Sequence, residues 1–191
     1  MAKLYFKYGT MGSGKSIDLI KTNFNYIENK KKTICFTSNK DDRYDKGKIT
    51  TRLGISIDAI MVYDHTNIYN IIENMIDISC IFFDEVQFIT KEQVFQLSDI
   101  VDFLDIPVIC YGLRSDFKME TFESSKYLMG ISDHIEEIKT MCRYCSSKKA
   151  IVNVRFRDNK IEKIGEQIQI GGNETYKPLC RKCYKHLLST T

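Results

Sequence analysis

The chain has 191 residues, 43% hydrophobic and 28% charged, with 2 prolines, 10 glycines and no tryptophan, a globular composition that excludes low-complexity, collagenous and disordered classes. No window holds the roughly 18 uncharged apolar residues of a membrane span, and the opening residues lack the charged and apolar regions of a secretion signal, so a cytoplasmic protein without a membrane partner is expected. The net charge of +3 hides an asymmetry: residues 1–140 carry 17 Lys+Arg against 21 Asp+Glu, whereas residues 141–191 carry 11 against 4.

In chain order, short apolar runs at Leu4–Tyr8, Thr33–Thr37, Ile57–Val62, Cys80–Phe83 and Pro107–Tyr111 read as strands. Between them, helical periodicity runs over Ile17–Glu28, Asn67–Met75 and Lys91–Phe103. Strand followed by helix, repeated, predicts an α/β fold with a mainly parallel sheet covered by helices on both faces. In such sheets ligands bind beyond the carboxyl ends of the strands. The polar stretch Asn39–Gly54 reads as a hairpin or long loop beside that crevice. After Thr140 the pattern changes to short β-like runs, Ile151–Phe156 and Ile161–Ile168, broken by Gly171-Gly172. Two units are therefore expected, residues 1–140 for nucleotide binding and a small β domain over 141–191.

The segment Gly9-Thr10-Met11-Gly12-Ser13-Gly14-Lys15-Ser16 matches G-x-x-x-x-G-K-[ST] between a strand and a helix, the context a phosphate-binding loop requires. Its glycines let successive N–H groups face phosphate oxygens, Lys15 reaches the β/γ-phosphates and Ser16 ligates Mg²⁺, so an ATP-like ligand is implied. Asp84-Glu85 at the end of an apolar strand supplies one carboxylate for the metal and a second, Glu85, as a general base. Whether that base serves water or a substrate hydroxyl separates an ATPase from a kinase, and this strand leaves both open.

Cys142-x-x-Cys145 and Cys180-x-x-Cys183 offer four thiolates, a set that suits a structural Zn²⁺ with no position left to activate water; redox dithiols are the alternative. Cys35, Cys80 and Cys110 lie in apolar runs and read as buried thiols, and the three histidines lack ligand spacing. Phe88, Leu113, Phe117, Phe122 and Tyr176 fall in segments bordering the crevice, where such side chains suit a flat ring. A rival reading makes the chain a zinc-ribbon P-loop ATPase that grips nucleic acid with its basic C-terminal unit. Interspersed acidic residues and the short chain weigh against it, so nucleic acid is not an expected partner.

Taken together, the phosphate-binding loop with Met11, Asp41-x-Arg43-Tyr44, Asp84-Glu85-Val86-Gln87-Phe88, Gly112-Leu113-Arg114-Ser115-Asp116-Phe117, and Ile170-Gly171-Gly172 with Tyr176 and the second cysteine pair resemble the zinc-containing thymidine kinases of bacteria, poxviruses and animal cytosol. The resemblance implies that Asp41, Asp42, Arg43, Asp84, Glu85, Val86 and Gln87 add contacts to Mg-ATP. It implies that Phe88, Leu113, Phe117, Phe122 and Tyr176 surround a thymine ring. Gln167, Ile168, Gln169, Ile170 and Gly171 would present backbone groups to the edge of that ring from a lid, or lasso, loop that the zinc ties down. Transfer of the ATP γ-phosphoryl group to thymidine or deoxyuridine, feedback inhibition by thymidine triphosphate and a homotetramer are implied in the same way. Thr51-Arg52-Leu53-Gly54 departs from the family, many of whose members carry a histidine there, and Leu113-Arg114-Ser115-Asp116 has the bacterial form.

Overall fold

The structure is a computed structural model and describes residues 1–41, 45–158, 160–169, 171 and 175–190. The first unit runs β1 (Leu4–Tyr8), α1 (Lys15–Glu28), β2 (Lys32–Ser38), β3 (Lys48–Thr50), β4 (Ser56–Asp58), β5 (Ile60–Val62), α2 (Ile68–Ile72), β6 (Ile78–Asp84), a 3-10 turn (Val86–Phe88), α3 (Lys91–Leu104), β7 (Val108–Gly112), α4 (Glu123–Ile131) and β8 (His134–Glu137). Six of the strands form one parallel sheet in the order β5-β2-β6-β7-β1-β8, while β3 and β4 make a separate antiparallel hairpin.

Alternation along the central strands explains the layers. On β6, Cys80 and Phe82 face α1, whereas Ile81 and Phe83 face the side packed by α2, α3 and α4; all four are fully buried. Each such phenylalanine contributes about 1.5–3 kcal/mol by leaving water, and a central strand apolar on both faces has no stable place except between helical layers. α3 starts at a capping box in which Thr90 and Gln93 satisfy each other's backbone N–H, and it ends at Asp105 in a left-handed conformation (φ 53°). Strand order places β1, β6 and β7 side by side, so the segments leaving their carboxyl ends share one edge of the sheet.

The second unit packs β9 (Val152–Arg157) between β10 (Lys160–Ile161) and β11 (Tyr176–Leu179), all antiparallel, followed by α5 (Arg181–Thr190). Two expectations need correction. Ile57–Val62 is not one strand: Ala59 divides it between the β3–β4 hairpin and the sheet edge, and its N–H donates to Gly47 across the hairpin. Ile161–Ile168 pairs only at Lys160–Ile161; Ile161 enters the core beside Val152 and Val154, but Ile164 and Ile168 are exposed, so the strand ends there. α4, β8, β11 and α5 had no counterpart among the expected elements. Among the described residues no helix is long and apolar enough to cross a membrane.

Candidate active site

The loop leaving β1 turns into α1 through two left-handed glycines, Gly12 (φ +73°) and Gly14 (φ +88°), a conformation other residues adopt only with strain. At Gly9 the constraint is space, because a Cβ there would lie 2.4 Å from the Ile138 carbonyl oxygen. The Lys15 ammonium is buried and donates to the carbonyls of Gly9 (3.2 Å) and Thr10 (3.1 Å), arching back over its own loop. The Ser16 hydroxyl donates to Asp84 Oδ2 at 2.8 Å, joining the first turn of α1 to the end of β6. Two guanidinium groups reach the same loop: a Cβ on Gly12 would be 3.7 Å from Arg52 Nη1 and 4.0 Å from Arg143 Nη2.

Asp84 and Glu85 are both buried. Burial pushes the Asp84 carboxyl up to about 7 and the Glu85 charge adds to the shift, against the Ser16 hydrogen bond and the Lys15 charge. Glu85 itself sits at φ 54°, uncommon for a side chain other than glycine, with its N–H held by Asp84 Oδ1 at 3.0 Å. That turn separates the directions of the two carboxylates. The Gln87 amide donates to Glu85 Oε2 at 2.5 Å and accepts from the Leu113 N–H at 2.9 Å. The Val86 side chain packs into the core on the α3 and α4 side.

Met11, Leu113, Phe117 and Tyr176 form a small apolar cluster beside the carboxylates, and Phe88 and Phe122 stand edge to face at 6.1 Å between centroids. All six border one crevice together with Lys15, Ser16, Asp41, Asp84, Glu85, Gln87 and the loop residues Gln167, Ile168, Gln169 and Gly171. Tyr176 Oη donates to the Gln169 carbonyl at 2.8 Å, and Gln167 Nε2 donates to Asp116 Oδ2 at 3.2 Å. Asp42, Arg43 and Ile170 lie outside the described residues.

Sequence reasoning missed two residues of β9. Asn153 Oδ1 accepts from the Met11 N–H at 2.7 Å, and the Arg155 guanidinium lies 3.7 Å from the Phe117 ring centroid. Val152 and Val154 point into the second unit's core, which turns Asn153 and Arg155 toward the first unit. Their signal was a polar residue at every second place in a strand, a pattern that ordinarily means solvent.

The Sγ atoms of Cys142, Cys145, Cys180 and Cys183 all lie within 4.8 Å of one another, with Cys145 and Cys180 at 3.9 Å, and none is in a disulfide. Backbone N–H groups of Tyr144 and Cys183 point at the sulfurs of Cys142 (3.4 Å) and Cys180 (3.5 Å). Four converging cysteine sulfurs make a metal site.

The family model described as thymidine kinase matches residues 2–184. The thymidine kinase of Shouchella clausii is 51% identical over 189 residues, covering 97% of each chain. That of Haemophilus influenzae is 48% identical with the same coverage, and that of Lactiplantibacillus plantarum is 48% identical over 185 residues, 96% of each chain. A match this long, carried by a chain that folds the phosphate-binding loop, the paired carboxylates and the four cysteines into place, makes this protein a member of the thymidine kinase family.

Proposed function

We propose that this chain transfers the γ-phosphoryl group of ATP to the 5′-hydroxyl of thymidine, and of deoxyuridine, giving monophosphates for nucleotide salvage. The observation that carries this reading is convergence: the phosphate-binding loop, the two carboxylates and the slot of Met11, Leu113, Phe117 and Tyr176 open onto a single crevice. Membership of the thymidine kinase family supports the same acceptor.

In this reading the N–H groups of Gly9 to Ser16 receive the triphosphate, and Lys15 exchanges its two carbonyl partners for β/γ-phosphate oxygens. Asp41, Asp42 and Arg43 remain nucleotide contacts by family resemblance. Ser16 and Asp84, oxygen donors already 2.8 Å apart, fit a Mg²⁺ ion, which when bound neutralises phosphate charge. Glu85 takes the 5′-hydroxyl proton as the hydroxyl oxygen bonds to the γ-phosphorus and the bond to the ADP oxygen breaks. The slot takes the thymine ring, and backbone groups of Gln167–Gly171 read the pyrimidine edge. Cys142, Cys145, Cys180 and Cys183 fit Zn²⁺, which ties the start of β9 to the end of β11 and takes no part in the transfer. Residues 1–140 then act as the nucleotide-binding unit and 141–191 as the lid-bearing unit. Inhibition by thymidine triphosphate and a homotetramer complete the proposal.

ADP release from Mg-ATP, measured across a panel of nucleosides and polynucleotides, tests it. Thymidine and deoxyuridine should stimulate strongly, purine nucleosides far less, and DNA or RNA not at all. Stimulation by polynucleotide with indifference to every nucleoside would replace this function with a nucleic-acid-dependent ATPase.

A further inference from the structure

We infer that Arg155 is the positioning residue that holds the nucleoside lid against its aromatic slot, the cysteine cluster acting only by fixing the strand that presents it. The inference rests on the assignment of residues 167–171 as the thymidine lid. Arg155 is 1% exposed, yet belongs to neither unit's apolar core. Its guanidinium lies 3.7 Å from the Phe117 centroid and 5.6 Å from that of Tyr176, so one cation backs two walls of the slot.

Both terminal nitrogens of the same group turn toward residues 162–169. Nη1 donates to Gln169 Oε1 at 2.6 Å and lies 3.9 Å from Glu162 Oε1, while Nη2 donates to the Glu166 carbonyl. Gly165 passes so close that a Cβ there would be 3.5 Å from Nη1 and 2.6 Å from Glu162 Oε1. The loop is thus wound around one guanidinium. Ile164 and Ile168 are exposed and no regular structure spans 162–169, so hydrogen bonds order the loop: those of Arg155 along it, and those from Gln167 to Asp116 and from Tyr176 to Gln169 at its far end. A buried guanidinium is costly without acceptors, and the loop gathers Gln169, Glu162 and the Glu166 carbonyl around it, so each stabilises the other.

The register of β9 and β11 separates this task from that of the metal. Tyr176 stands opposite Arg155 at one end of the pair, and Leu179 opposite Val152 at the other, next to Cys180. The cluster clamps the Val152–Leu179 end; the lid leaves from the Arg155–Tyr176 end.

The test compares Arg155→Met and Arg155→Lys in the full chain by steady-state kinetics, zinc content, and the rate of tryptic cleavage after Lys163 without nucleoside. Arg155→Met should raise the thymidine KM roughly tenfold or more while the ATP KM stays within about twofold, the range set by losing hydrogen bonds to a charged group. Zinc should stay at the wild-type level, cleavage after Lys163 should accelerate, and Arg155→Lys, which keeps charge without the fork, should fall between. Unchanged cleavage, or equal rises in both KM values with loss of zinc, overturns the inference. Should Arg155→Met fail to fold, Gln169→Ala decides, because it removes a partner from the loop side: faster cleavage supports the inference and unchanged cleavage refutes it. A wild-type chain indifferent to thymidine would defeat the proposed function, while the cleavage comparison would still decide whether Arg155 holds the loop.

Discussion

Gln87 stands between the proposed base and the nucleoside segment, and replacing it by methionine keeps its length while removing both of its hydrogen bonds. One of these runs at 2.5 Å to the Glu85 carboxylate and the other at 2.9 Å from the Leu113 N–H. A hydrogen bond to a charged group is worth about 1.5–3 kcal/mol. If that amount is felt once Glu85 must be aimed at the 5′-hydroxyl, kcat falls roughly 10- to 150-fold. Losing the second bond leaves the Leu113 N–H without its acceptor and lowers stability by a further ~1–3 kcal/mol. The assay is ADP release with both substrates saturating, followed by KM for each and the thermal midpoint. The ATP KM should stay within about twofold, because Gln87 aims the base and does not grip the nucleotide. A kcat within about twofold of wild type would show that Glu85 needs no such orientation. A raised ATP KM at unchanged kcat would instead make Gln87 a nucleotide contact.

Glu85→Gln keeps the shape and removes the proton acceptor, so turnover should fall roughly 10²- to 10⁴-fold with ATP binding retained; near-normal turnover would move the base elsewhere. After chelation a thiol reagent should label the folded protein first at Cys145, the exposed member of the cluster. Cys35 and Cys80, pushed up to about 12 by burial, and Cys110, pushed higher still, should react only on unfolding, and extra labelling before then would contradict their burial. Burial lowers the Lys7 ammonium, but Asp18 at 2.9 Å and Glu136 at 3.4 Å outweigh it and hold the group above its ordinary 10.5. A cationic group raised on folding contributes stability that is complete below its unfolded value and lost as pH rises through the folded one. The stability gap between wild type and Lys7→Met should therefore be full at about pH 8 and narrow above about pH 10.5, as chemical denaturation can measure; a constant gap would exclude the ion pairs as its source.

Local spacing in the sequence was enough for the phosphate-binding loop, the strand ending in Asp84-Glu85, the two cysteine pairs and the alternation of strand and helix. In each case neighbouring residues dictate backbone geometry: glycines at positions needing positive φ, thiols three positions apart on a knuckle, apolar runs of strand length. The sequence could not bring together partners far apart in the chain. Ser16 meets Asp84 across 68 positions and Asn153 meets the Met11 N–H across 142, and neither pair leaves a local pattern. β8 went unseen because His134, Ile135 and Glu136 are exposed on an edge strand, with none of the apolar alternation that marks a buried one. The run from Ile161 to Ile168 misled in the opposite sense, since after the buried Ile161 its isoleucines, Ile164 and Ile168, are exposed while the loop winds on Arg155. Periodicity reports which residues share a face, but only the tertiary structure decides what covers that face. Water, a sheet and another unit's guanidinium stack all permit the same pattern, which is why the run Ile151–Phe156 by itself does not assign Arg155 and Asn153 to the site.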